Sequence, residues 1–263
     1  MRGDILKKKL MVLCAVAIMI STCLTGCKMN SGKIRFGSAG IGGTYQIFGD
    51  TFANLISSKS KKYNIEVKTT AGSAANLRLL SKDYIQMAVA QMDLINDAYN
   101  RTGIFENDKK YQGYRAVASL YTEACQIVVP ADSDIQSMDD LEGKKVCIGE
   151  EESGTEQNAL QILNAYGLNE RLVDTVNLNY TDAAKKLKSG DIDAFFCTAG
   201  VQTTVINELS KQCKIRLVSL DQKGVSSGIM ETGCRPSTPE RICAPEIVTG
   251  LYSSECIFRL YSE

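Results

Sequence analysis

Beyond residue 33 the chain alternates short apolar runs with amphipathic stretches of helical period, and that alternation restricts it to α/β architectures built on a largely parallel sheet. Residues 34–38 read as a strand, the glycine cluster ending at Gly43 as a loop, and residues 44–57 as a helix with Tyr45, Phe48, Phe52 and Leu55 on one face. A second strand is predicted at 65–69. Ala71-Gly72-Ser73 then opens a helix carrying Asn76, Leu77 and Leu80, and an apolar strand at 85–90 ends on Gln91-Met92-Asp93. A helical turn at 96–100 and a polar surface excursion at 101–113 follow.

The pattern then restarts. Strands are predicted at 116–120 and 125–129, separated by Tyr121-Thr122-Glu123, with a helical turn at 138–145 leading into a strand at 146–149. Ser153-Gly154-Thr155-Glu156 opens a helix to about Tyr166, closed by Gly167 as a left-handed cap. A strand at 176–178, a helix at 182–188 and a strand at 194–197 complete a second βαβαβ set. Two lobes of one type are expected, at 33–120 and 121–220. From about residue 221 to 263 the periodicity fades into a tail holding Pro236, Pro239, Pro245, Cys234, Cys243 and Cys256, which does not continue the pattern.

The amino terminus reads as an export signal. Arg2, Lys7, Lys8 and Lys9 precede an apolar run at 10–20 that is too short to span a bilayer. Leu24-Thr25-Gly26-Cys27 then resembles a bacterial lipobox. The expectation is a signal peptide at 1–26, lipidation of Cys27, a linker at 27–32 and a body held at the outer face of the cytoplasmic membrane. Two acyl signals on one residue suffice for lasting attachment.

Composition removes several function classes. The 263 residues carry equal numbers of acidic and basic side chains, and without the leader the balance is slightly acidic, so no nucleic-acid partner is implied. The chain contains no histidine, which takes away the usual general base and the commonest metal ligand. No metal, cofactor or catalytic residue is expected. Cys125, Cys147, Cys197 and Cys213 form no Cys-x-x-Cys motif; they read as small buried residues whose disulfide state the sequence leaves open.

Three glycine- and hydroxyl-rich turns each follow a strand and open a helix: Gly42-Gly43-Thr44-Tyr45, Gly72-Ser73-Ala74-Ala75-Asn76 and Ser153-Gly154-Thr155-Glu156. Helix starts present unpaired N–H groups and a positive dipole end, so each can cradle a carboxylate or phosphate. Capping alone would explain any one of them: Ser153 with Glu156 fits a capping box, and Ser73 is a suitable N-cap. Three at the carboxyl edge of strands, where open α/β sheets bind ligands, point to a site. The same turns lack the Lys-Ser or Lys-Thr of a P-loop and the Gly-x-Gly-x-x-Gly spacing. Gln91 and Asp93 end a strand at the presumed cleft, as an amide that can read a polar ligand and a carboxylate that can accept from an ammonium group. Tyr45 can pack on a ligand, Phe196 reads better as core, and Arg78, inside a helix, reads better as a solvated residue than as a carboxylate clamp.

Across about 33–220, the ordered set Gly42-Gly43-Thr44-Tyr45, Gly72-Ser73-Ala74-Ala75-Asn76-Leu77-Arg78, Gln91-Met92-Asp93, Ala118-Ser119-Leu120-Tyr121, Ser153-Gly154-Thr155-Glu156 and Asp191-Ile192-Asp193-Ala194-Phe195-Phe196 resembles the TAXI family of TRAP-transporter solute-binding proteins. The resemblance implies a type II periplasmic-binding-protein fold, two α/β lobes with a cleft between them. It also implies capture of a small carboxylate or an amino acid such as glutamate, and delivery to TRAP membrane permease subunits without catalysis. Carried over by position, Gly43, Thr44, Tyr45, Ser73, Asn76 and Gln91 would line the first lobe, and Ser153, Gly154 and Thr155 the second.

The chain departs from the family at Gln86, where an acidic residue is usual, and in its tail, which lacks the family's returning segment. Reading 244–249 two bases along permits Ala-Gly-Asn-Ser-Tyr among many other translations, and a frameshift or truncation is expected, with exposed edges on the first-lobe sheet. Two other readings stay open. The chain could serve an ABC importer or be a non-binding surface lipoprotein; an enzyme with Cys147 or Cys197 as nucleophile would lack an evident base.

Overall fold

A computed structural model describes residues 33–109, 111, 114–201 and 203–220, together with the backbone of 252–258. The expected leader, Cys27, the linker and most of the tail lie outside these residues. The first lobe opens with β1 (Lys33–Gly37), α1 (Thr44–Lys59), β2 (Asn64–Lys68), α2 (Ser73–Ser81), β3 (Met87–Gln91) and α3 (Met92–Asn100). After β4 (Ala118–Pro130) come β5 (Lys145–Gly149), α4 (Gly154–Ala165), β6 (Asp174–Asn177), α5 (Tyr180–Ser189) and β7 (Ala194–Ala199). Helix α6 (Thr204–Gln212) and β8 (Ile215–Leu217) follow, and β9 (Tyr252–Phe258) comes from the tail.

The strands join in the order β2-β1-β3-β9-β4-β7-β5-β6, with β8 paired to β4 off this path. Within each lobe the βαβ units pair in parallel, β1 with β3 and β5 with both β6 and β7. Short crossover helices on both faces impose that arrangement. Strand β4 belongs to both lobes. Its first part pairs antiparallel with β9 and its second with β7 and β8, so one unbroken strand carries the chain past the expected boundary at 120/121.

Each lobe buries its own core. In the first, Phe36, Tyr45, Ile65, Met87 and Val89 pack with Phe48 and Phe52 on one face, and Leu77, Ala90, Leu94 and Phe105 on the other. In the second, Ile127, Val129, Ile148, Ile162 and Phe196 lie on one side, and Val128, Leu187, Phe195 and Cys197 on the other. The near-continuous apolar strands β3 and β7, buried throughout, are what a sheet covered on both faces requires. Gln86 ties the first lobe together: its Oε1 accepts from the backbone N–H of Arg35 at 3.0 Å.

Four sequence expectations are corrected here. Leu55 is 53% exposed, and the inner face of α1 runs instead through Ile56. The polar 101–113 stretch carries Phe105, fully buried and edge-on to Tyr111 at 5.4 Å, so it closes the first-lobe core. The break read at Tyr121-Thr122-Glu123 is a register shift between Ser119 and Thr122 within continuous β4, a β-bulge beside polar residues that turn inward. Finally, β9 inserts between β3 and β4, pairing antiparallel with both, so the tail supplies a returning strand and that edge of the first-lobe sheet is not left open.

Candidate functional site

Every strand-to-helix turn in this topology delivers a helix start to the carboxyl edge of the sheet, and four of those starts meet between the lobes. They surround a cleft lined by Gly40, Gly43, Thr44 and Tyr45 from the β1–α1 turn, and by Gly72 and Ser73 from the β2–α2 turn. Gln91 and Glu123 come from strand positions, Glu150, Ser153, Gly154 and Thr155 from the β5–α4 turn, and Asn179, Tyr180 and Thr198 complete the lining.

Eight of the nine residues expected at the site line this cavity, drawn from both lobes. The exception is Asn76. It is fully buried behind the cavity, where Nδ2 donates to the carbonyls of Ser38 at 2.7 Å and Val89 at 2.8 Å, and Oδ1 accepts from the Thr70 hydroxyl at 2.8 Å. With both amide hydrogens and one lone pair of Oδ1 drawn toward the protein, Asn76 clamps the ends of β1 and β3 and lies outside the cavity lining.

The helix starts are not equivalent. Neither α1 nor α2 has a side-chain cap, and Gly72 enters α2 at φ 127°, a conformation that favours glycine. Ser73 therefore does not cap α2 as its position suggested; its Oγ accepts from the Gln91 backbone N–H at 3.1 Å and lies 3.4 Å from the Tyr45 hydroxyl. In α4 the Ser153 hydroxyl does cap, accepting from Glu156 N–H at 3.0 Å, while Glu156 reaches back to Glu152 N–H at 2.8 Å. Thr155 ties the second lobe internally, through the Tyr180 hydroxyl and the Thr198 N–H.

Several lining residues escaped the sequence. Glu123, 2% exposed in the middle of β4, accepts from the Tyr45 hydroxyl at 3.0 Å, and Tyr121 lies 3.5 Å from its other oxygen. Glu150 reaches across the cleft: a Cβ on Gly40 would stand 2.0 Å from its Oε2. Burial, and secondarily the charge of Asp182, holds the Glu150 carboxyl above its ordinary pKa. Burial keeps the Tyr180 hydroxyl pKa far above its ordinary range, so it stays neutral and donates a hydrogen bond to the Thr198 carbonyl at 2.8 Å. A polar residue in an apolar strand pattern, such as Glu123, was the one available signal.

Around the cavity the lobes touch directly. Gln91 Nε2 donates to Asn158 Oδ1 at 2.8 Å, Asn158 Nδ2 donates to Asp93 Oδ2 at 3.3 Å, and Ala75 N–H reaches the Glu152 carbonyl at 3.2 Å. Asp93 is thus an interlobe residue outside the cavity lining. Arg78, read as solvated, stacks 5.0 Å from the Phe105 ring and pairs with Asp108 in its own lobe and with Glu152 of the other at 2.8 Å. Gly154 packs so closely on Gln91 that a Cβ would fall 1.3 Å from Gln91 Oε1. Phe196 is core.

The Cys125, Cys147 and Cys197 thiols are buried in surroundings that keep them protonated. Cys125, Cys147, Cys197 and Cys213 are free, and burial pushes the Cys125 thiol to about 12 and those of Cys147 and Cys197 upward as well. Among the described residues no group of three or more acidic, cysteine or histidine side chains could hold a metal ion.

The fold is that of the type II periplasmic binding proteins, two α/β lobes with a cleft between them. Solved structures of this kind include a putative L-cystine ABC transporter from Listeria monocytogenes, 16% identical over 88% of this chain and 84% of that one, with a TM-score of 0.53. An ancestral arginine-binding protein bound to arginine is 17% identical over 88% and 84%, TM-score 0.51. The alkanesulfonate-binding protein from Xanthomonas axonopodis pv. citri, bound to MOPS, is 16% identical with a TM-score of 0.49; the match takes in 71% of this chain and spans only 60% of that one. Residues 36–238 match the NMT1-like family, and the chain belongs to it.

Proposed function

We propose that this chain is the extracytoplasmic solute-binding subunit of a membrane transporter, capturing a small carboxylate or amino acid and releasing it to a permease. The observation that carries the reading is a cleft whose walls come from both lobes and bring four helix starts together. A solute touching both walls binds the closed arrangement better than the open one and so shifts the population toward it. Gly43, Thr44, Tyr45, Ser73, Gln91, Ser153, Gly154 and Thr155 are the ligand-contacting residues in this reading. Catalysis has no place in it: burial keeps the Cys147 and Cys197 thiols protonated, and the chain has no histidine to activate them.

The ordered motifs in the sequence favour a TRAP permease driven by an ion gradient as partner, with Cys27 as the lipid attachment point. The likeness to a putative L-cystine ABC transporter favours an ABC importer instead. Deleting each candidate permease gene beside the coding sequence and measuring solute uptake separates the two. Thermal-shift screening of amino acids and dicarboxylates tests capture itself: stabilisation by one class without product formation supports it, and turnover of the compound would make the chain an enzyme. Acyl labelling that disappears in Cys27→Ser tests the anchor.

A further inference from the structure

We infer that the solute carries a cationic nitrogen, held at Glu150, as well as a single anionic group held at the helix starts: an α-amino acid with an uncharged or basic side chain rather than a dicarboxylate. This rests on the solute-capture reading and narrows it. Two carboxylates, Glu123 and Glu150, line the cavity, and among the described residues no lysine or arginine does. Glu150 decides the matter. It is half-buried, it extends from the second lobe to the Gly40 backbone of the first, and its side chain has no hydrogen bond or ion pair among the described residues. Asp182, the nearest charge acting on it, has the same sign.

A second carboxylate on the solute would add to this negative cluster, whereas an ammonium or guanidinium group would form a charge-assisted hydrogen bond with Glu150 and relieve the repulsion. The opposite wall suits the other end of such a molecule. Neither α1 nor α2 has a side-chain cap at its start, and with the Ala75 N–H of α2 taken by the Glu152 carbonyl, the helix dipoles and the Thr44, Ser73 and Ala74 amides are what this wall offers to one carboxylate.

The test is a calorimetric titration of the full chain, purified in detergent, with three sets of probes: L-alanine, L-glutamine and L-arginine; L-glutamate; and succinate. At least one of the first three binds, glutamate and succinate do not, and Glu150→Gln weakens the bound amino acid about tenfold or more while unfolding as cooperatively as the parent. Binding of glutamate or succinate in preference to the first set overturns the inference and leaves solute capture standing, as does unchanged affinity in Glu150→Gln. No binding by any probe overturns the capture reading and the inference together.

Discussion

A side chain at residue 154 cannot coexist with Gln91 where it now lies, because the added Cβ would overlap Gln91 Oε1. Gly154→Ala should therefore hold the lobes apart, weakening solute binding by about 1–3 kcal/mol, roughly five- to a hundredfold, with little change in thermal unfolding of the separate cores. Asn76 gives the opposite signature. Asn76→Ala leaves the buried Ser38 and Val89 carbonyls without their donor and should cost about 2–4 kcal/mol of stability, read as a lower midpoint in urea.

Glu150 adds a pH signature. Its carboxyl pKa is raised above the ordinary 4.5 by burial and then by Asp182, so the fold favours the protonated form. The stability that protonation lends is present below 4.5 and is lost as pH rises through the higher folded value. Glu150→Gln should match the parent in melting temperature below that window, gain on it across the window and keep a constant lead above it, by well under ~1 kcal/mol because the group is half exposed to solvent. Melting curves across pH check both the sign and the window.

At the scale of elements, the helix starts were legible because glycine and hydroxyl residues after an apolar strand have few other uses at those positions. Gly43, Thr44, Ser153, Gly154 and Thr155 all reach the cavity for that reason. What a strand-to-helix turn cannot reveal is where side chains of the next turn point, and Asn76, one turn into α2, was misplaced on that account. Glu123 was hidden differently: Tyr121-Thr122-Glu123 has the polarity of a turn, and only the β-bulge and the inward Tyr45 hydroxyl make a buried glutamate in β4 intelligible. Arg78 shows the limit of reading charge from a helix face, since its partners lie 30 residues away on one side and in the other lobe on the other.

That pair forms one edge of the interlobe contact. Arg78→Gln should favour opening by roughly 1 kcal/mol, about fivefold in the closed-to-open ratio, because the pair is partly exposed. Added salt should reproduce part of the effect in the parent and little of it in the variant. Spin-label distances between α1 and α5 check both statements.

For the whole molecule, the alternation of strands and helices was enough to foretell the class of fold, while the path of the chain through it was not. A strand shared by both lobes, and a strand drawn from the tail into the middle of the sheet, involve pairings more than a hundred residues apart in sequence, which local periodicity does not encode. The pairing of β9 with β3 and β4 predicts that amides of β3 exchange slowly in the full chain. In a chain ending at residue 220 they should exchange at least tenfold faster, as hydrogen-exchange mass spectrometry would show.

Capture of a solute between the lobes is the claim on which the rest depends, and native mass spectrometry of the protein isolated from its own cells without dialysis addresses it directly. The account predicts a mass exceeding that of the processed chain by one small amine-bearing compound, lost on denaturation and lost in Gly154→Ala. A chain that carries no such compound, and takes up none from a cell extract, would contradict it.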